Sequence, residues 1–133
     1  MVHKDSHKFE SNFFTLDIPK NHSVMFGSLS GTKLGVWVAH GEGKFQFPYE
    51  ESAYHIVAKY NYEGYPANPN GSPWSVAGVC SQYGRHLAMM PHPERAMFPW
   101  QCGYYPADRQ ADEVTPWIEG FVNARKWIEE HKQ

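Results

Sequence analysis

Two prolines bracket a histidine in Pro91-His92-Pro93, directly after the apolar run Leu87 to Met90, and Glu94 follows. Proline fixes its own φ and drives the residue before it out of the helical region. The chain should therefore be stiff here, with His92 and Glu94 both in extended backbone at the end of a strand. A carboxylate beside an imidazole fixes its tautomer and stabilises its cation. The pair makes two-thirds of a nucleophile–His–acid triad, and the missing third governs how the rest is read. On these residues alone, a role in closing a loop stands beside the catalytic one.

A length of 133 residues fits one domain with a core of its own. Aromatic residues make up 16% of the chain against 41% apolar overall, which argues for a globular chain. The net charge of −2 and the lack of a sustained basic run give no reason to expect nucleic acid or an anionic membrane as partner. Met1 to Glu10 carries no apolar secretory core, and no apolar run approaches a membrane span. Cys80 and Cys102 are too few for a disulfide scaffold, so reduced thiols in a cytoplasmic protein are expected.

Strand signals dominate. Phe9 to Ile18 reads as a strand ending before Pro19. Leu34 to Ala39 is apolar throughout, as a strand buried on both faces should be. Phe45 and Phe47 alternate with polar residues, as on a half-buried strand, and Ile56 to Tyr62 alternates in the same way. Tyr65 to Pro73, rich in proline and asparagine, reads as an ordered loop. Val76 to Cys80 and His86 to Met90 form a hairpin about Gln82-Tyr83-Gly84, and Met97 to Asp112 reads as irregular surface structure. The last segment is a helix, with Thr115 as N-cap and Pro116 in the first position. Trp117, Phe121, Ala124 and Ile128 recur at helical spacing, with Ile118 and Val122 beside them, and should bury as a docking stripe.

The nucleophile is harder to find. A thiol on a sharp strand-to-helix turn needs glycine on both sides. Cys80, in Gly78-Val79-Cys80-Ser81-Gln82, lacks the second glycine and runs into a hairpin; Cys102 lacks the context altogether. His92-x-Glu94 also matches the start of the zinc deaminase signature, but the P-C-x-x-C that completes the metal site is missing, so no metal is expected.

Two further stretches bear on the pair. His40-Gly41-Glu42-Gly43 follows Val36-Trp37-Val38-Ala39, and Asn68-Pro69-Asn70-Gly71-Ser72-Pro73 precedes the hairpin. With the run Gly84 to Arg95, and in this order, they resemble the C-terminal part of the glutaminase domain of the phosphoribosylformylglycinamidine synthase family. The resemblance runs from about Phe9 to Lys126. It implies a class I (triad) glutamine amidotransferase of flavodoxin-like fold. A cysteine there attacks the side-chain amide of glutamine. The resemblance gives His92 the role of general base and then general acid, and Glu94 that of orienting it. It further implies that ammonia passes to a synthetase domain for ATP-dependent amidation of formylglycinamide ribonucleotide in purine biosynthesis. His40, Gly41 and Glu42 match a segment beside the glutamine pocket and are expected to shape it. ATP and Mg²⁺ are expected in the synthetase domain, and no cofactor in this chain.

The family's nucleophile stands on an elbow upstream of every segment matched here. Residues 1–133 are thus expected to be the C-terminal portion of an α/β glutamine amidotransferase domain, a strand-rich second half with a closing helix, inactive alone. Expected partners are glutamine and the remainder of the synthase, both its nucleophile half and its synthetase domain. A second copy of the chain is a further expected partner, held through unpaired strand edges. The alternative is a non-catalytic interaction module that keeps His92 and Glu94 as a relic.

Overall fold

Alternation sets the sheet. In the run Lys33–His40, Val36, Val38 and His40 are buried, and the residues between them are half-buried. The computed structural model describes residues 1–4, 6–64 and 66–132. They form five strands, β1 (Glu10–Asp17), β2 (Lys33–His40), β3 (His55–Tyr60), β4 (Val76–Cys80) and β5 (Leu87–Met89), and one α-helix, α1 (Ile118–Glu130). The strands lie in the order β2-β1-β3-β4-β5, with every neighbouring pair antiparallel.

β1 and β2 pair along their whole length, from Glu10 opposite His40 to Asp17 opposite Lys33. β1 meets β3 only at Leu16 and Asp17, and the register of β3 on β4 shifts around Ala58. Such irregularities increase twist and curl a sheet. The curl brings the two ends together: past β5, the His92 amide donates to the Trp37 carbonyl of β2 at 2.8 Å. The chain that leaves one edge of the sheet thus bonds to the strand at the other edge. Gly84 turns the β4–β5 hairpin at φ +71°, where its carbonyl accepts from the Val24 amide and a side chain would strike the His22 carbonyl.

The core holds Leu16, Val36, Val38, Val57, Ala77 and Trp117, none more than 1% exposed. Burying each of the larger side chains is worth about 1.5–3 kcal/mol. Trp117 ties the helix end to the sheet by donating from Nε1 to the Gly35 carbonyl at 2.8 Å, with its ring edge-on to Phe26.

Several sequence expectations need correction. Phe45 and Phe47 form no strand. They stack on each other and, through Phe47, on Trp74, an aromatic cluster that holds an irregular segment. Thr115 does not cap α1, because its buried hydroxyl donates to the Ala96 carbonyl at 2.6 Å and the helix begins at Ile118. The expected docking stripe does not bury beyond Trp117: Phe121 is 43% exposed and Ile128 57%. The helix instead turns Gly120 onto the Phe26 ring, where any side chain would collide. On the same face, Asn123 donates to the Met25 carbonyl. Residues 97–112 are irregular but not merely surface, since Met97 and Cys102 pack on the core and the Gln101 carbonyl accepts from Trp37 Nε1 at 2.7 Å. Of the loop expected over residues 65–73, Tyr65 lies outside the described residues; the rest is ordered by buried asparagines.

Candidate active site

His92 is fixed from both sides. Its amide donates to Trp37, and its carbonyl accepts from the Arg95 amide at 3.1 Å. Pro93–Arg95 forms a single 3-10 turn, so Glu94 is not in the extended backbone expected of it. In a strand, residues two apart share a face but stand about 6.5 Å from each other along it, and the turn brings this pair closer. It folds Glu94 back so that its Oε1 stands 2.7 Å from His92 Nδ1. A carboxylate only accepts, so Nδ1 carries the hydrogen and the Nε2 lone pair is left to take a proton. The Glu94 side chain is 55% exposed, so water screens the pair and its main effect is on geometry rather than stability.

The three sequence motifs meet at this point. Asn70, fully buried, donates from Nδ2 to the Gly43 carbonyl at 2.9 Å. The Phe45 amide donates to Ser72 Oγ at 3.1 Å, a second tie between the same two loops. Asn68, also buried, holds its own loop closed through the Glu63 and Ser72 carbonyls. Gly43 runs at φ +111° against the Met90 side chain, next to Pro91-His92. Beyond the loop, Trp74 and Ser75 adopt positive φ, a strain of about 1–3 kcal/mol each that only well-determined surroundings hold in place.

The candidate pocket residues divide. His40 is 9% exposed, and neither ring nitrogen has a hydrogen-bond partner among the described residues. Burial lowers its pKa, and the charge of Lys4 and then of His92 adds to this; the Glu42 backbone and Asn70 side chain oppose the shift. Gly41 is half-buried, while Glu42 reaches solvent beside His3 at 3.4 Å. A cavity of about 340 Å³ opens there, lined by Met1, His3, Glu42, Gly43 and Met90. Neither this cavity nor a more enclosed one of about 490 Å³, lined by Phe13, Cys102, Tyr105, Arg109 and Trp117, has His92 or Glu94 in its walls.

Neither cysteine is activated. Burial raises the pKa of both Cys80 and Cys102, the reverse of what a thiolate nucleophile needs. Among the described residues no three His, Cys, Asp or Glu side chains gather to hold a metal ion. Sequence reasoning missed Lys4, which is 1% exposed and donates from Nζ to the His40 carbonyl at 2.9 Å. No local pattern marks a lysine for burial.

The CobB/CobQ-like glutamine amidotransferase domain matches residues 1–128. The chain belongs to this family. Within the amidotransferase family, it is similar to proteins named phosphoribosylformylglycinamidine synthase. It is 42% identical to the probable chloroplastic/mitochondrial protein of Arabidopsis thaliana over 96% of this chain and 10% of that one. It is 40% identical to the Drosophila melanogaster protein over 100% of this chain and 11% of that one. It is also 40% identical to the Homo sapiens protein, over 94% of this chain and 10% of that one. The chain thus spans about a tenth of the length of these curated relatives. A solved chain titled "Structure of PurLQS from Thermotoga maritima" shares the fold at a TM-score of 0.69 and 23% identity, over 96% of this chain and 51% of that one. The amidotransferase fold in this chain is α/β, a curled antiparallel sheet closed by a C-terminal helix.

Proposed function

We propose that this chain carries the acid–base part of a glutaminase site in a phosphoribosylformylglycinamidine synthase, and that it is the C-terminal portion of the amidotransferase domain. The observation that carries the reading is the 2.7 Å contact of His92 Nδ1 with Glu94, which leaves Nε2 free on a stiff, proline-bracketed turn. The names of the relatives support it over nearly the whole chain.

The proposed chemistry is as follows. A cysteine thiol outside these residues gives its proton to His92 Nε2 and attacks the amide carbon of glutamine. His92 returns the proton to the departing nitrogen, ammonia leaves, and a glutamyl thioester remains. His92 then takes a proton from water, which attacks the thioester and releases glutamate and the thiol. Glu94 keeps the ring in register and balances its charge when it is protonated. His40, Gly41 and Glu42 shape the glutamine side, with Asn70 holding their turn in place. Ammonia passes to a synthetase part for the ATP-dependent amidation of formylglycinamide ribonucleotide, and ATP and Mg²⁺ belong there. The remainder of the synthase is the proposed partner, with self-association when the chain is alone. No helix among the described residues is long and apolar enough to cross a membrane. The cytoplasm is the proposed compartment, though the plant relative's name places that protein in chloroplast or mitochondrion.

The test compares nitrogen donors in the full enzyme. His92→Ala should cut glutamine-dependent activity by about a hundredfold to ten-thousandfold and spare activity with added ammonia. Equal loss with both donors would overturn the reading.

A further inference from the structure

The Glu94 carboxylate stands mostly in water, which competes for it, so the attraction between Glu94 and His92 does little to hold the two side chains together. The backbone must carry them to one place, and whatever holds that backbone sets the geometry of the pair. Trp37 holds it twice. Its carbonyl accepts from the His92 amide at 2.8 Å, and its indole donates from Nε1 to the Gln101 carbonyl at 2.7 Å. The chain from His92 to Gln101 is thus a loop with both ends on one residue of β2. Trp37 is itself seated, with its ring edge-on to Phe13, its ladder partner in β1.

Inside this loop Gln101 turns its side chain back. Its Oε1 accepts from the Met97 amide at 3.0 Å and from the Phe98 amide at 3.1 Å. Thr115 binds the same stretch from the helix side, its hydroxyl donating to the Ala96 carbonyl and its amide to the Met97 carbonyl at 2.8 Å. The Ala96 amide donates in turn to the Pro93 carbonyl, so the clasp runs without a break into the turn that carries Glu94. Irregular backbone has no ladder to satisfy its amides and takes acceptors from side chains or water. Here one side-chain oxygen serves two of them, and the circuit from Trp37 through His92, Met97 and Gln101 closes on Trp37 again.

We propose that Gln101, together with Trp37, is a positioning residue for the His92–Glu94 pair: its side-chain oxygen and its carbonyl close the loop that carries the pair and so fix where His92 Nε2 stands. This rests on His92 being the acid–base residue. Gln101 and Trp37 take no proton in the reaction. They act only through the backbone they hold.

Kinetics and crystal structures of the full enzyme test it. Gln101→Leu removes the acceptor oxygen, whereas Gln101→Glu keeps one. Gln101→Leu should lower kcat with glutamine by about tenfold to a hundredfold, as a displaced catalytic group does, with KM for glutamine and the ammonia-dependent rate unchanged. Gln101→Glu should restore most of the rate. Trp37→Phe, which keeps a ring and the backbone carbonyl but loses the indole N–H, should act in the direction of Gln101→Leu. Added to His92→Ala, Gln101→Leu should cost nothing more, whereas general support of the fold would add its own loss. In the crystal, the contact of His92 Nδ1 with Glu94 should survive in Gln101→Glu and break in Gln101→Leu. An unmodified enzyme in which Gln101 Oε1 does not accept from the Met97 and Phe98 amides overturns the proposal whether or not any variant folds. So does an intact His92–Glu94 contact in a folded Gln101→Leu, or a loss confined to KM. If His92→Ala spares glutamine-dependent activity while the contact breaks in Gln101→Leu, the functional reading fails and the positioning link stands.

Discussion

Around His92 the polar side chains go inside; along the outer face of α1 the apolar ones stay out. Asn68, Asn70, Ser72, His40 and Lys4 are all buried; Asn70 and Ser72 tie their loop to the turn after β2, and Lys4 ties the N-terminal segment to the end of β2. Ile118, Phe121, Val122 and Ile128 lie on one helix and are all exposed. A buried hydrogen bond contributes modestly to stability, but leaving its partner unsatisfied costs far more, so the first region specifies one geometry. Exposed apolar surface has the opposite property. It tolerates change and gains from being covered. The contrast separates a part that must hold still from a part that suits contact with another body, here proposed to be the rest of the enzyme.

Four stability measurements and one of association can break or sharpen this contrast. The largest effect belongs to the inner side of α1. Trp117→Ala should cost about 3–5 kcal/mol, read as a drop in the urea midpoint, because it removes a buried ring and the bond to Gly35. A loss below about 1 kcal/mol would mean that the helix is not seated as described. Next comes Asn70→Ala, which leaves the Gly43 carbonyl without its donor and should cost about 1–3 kcal/mol. A neutral result would show that the loops are not joined through this side chain.

Acid should act more weakly. The pKa of His40 in the folded chain lies below its ordinary value of 6.5, chiefly through burial, so the unfolded chain binds more protons in the range just below. The stability from a neutral His40 is therefore present above pH 6.5 and is lost as pH falls toward the folded value. Urea midpoints measured from pH 7 to 5 should decline less steeply in His40→Gln. The smallest effect on stability belongs to the outer face. Phe121→Ser should change stability by no more than about 0.5 kcal/mol. Light scattering should nonetheless show weaker self-association of the separated chain. A large destabilisation would mean that this face is already covered.

Much of the strand pattern was legible, because period-two alternation and the glycines at turns act locally. Non-helical backbone at His92 follows from Pro93 alone, although its ψ of 84° falls short of a full strand conformation, and the candidate pair follows from the spacing to Glu94. The Pro93–Arg95 turn did not follow, since it depends on where the Arg95 and Ala96 amides find acceptors. The helix face was misread because hydrophobic spacing favours Phe121 and Ile128, whereas docking is decided by what Gly120 lets approach. Thr115 was misread because a hydroxyl that fits an N-cap also fits the Ala96 carbonyl, and only the fold brings that within reach. Lys4 and the double tie of the Asn68–Ser72 loop depend on contacts across the sheet that no local pattern encodes.

The central claim is that His92 and Glu94 act as one pair in releasing ammonia from glutamine. A double-mutant cycle in the full enzyme tests it most directly, with His92→Ala, Glu94→Ala and the two together assayed with glutamine and with ammonia. If Glu94 works only through His92, the double variant should be no worse with glutamine than His92→Ala alone, and all three should keep activity with ammonia. Losses that multiply in the double variant, or that appear equally with ammonia, would contradict it.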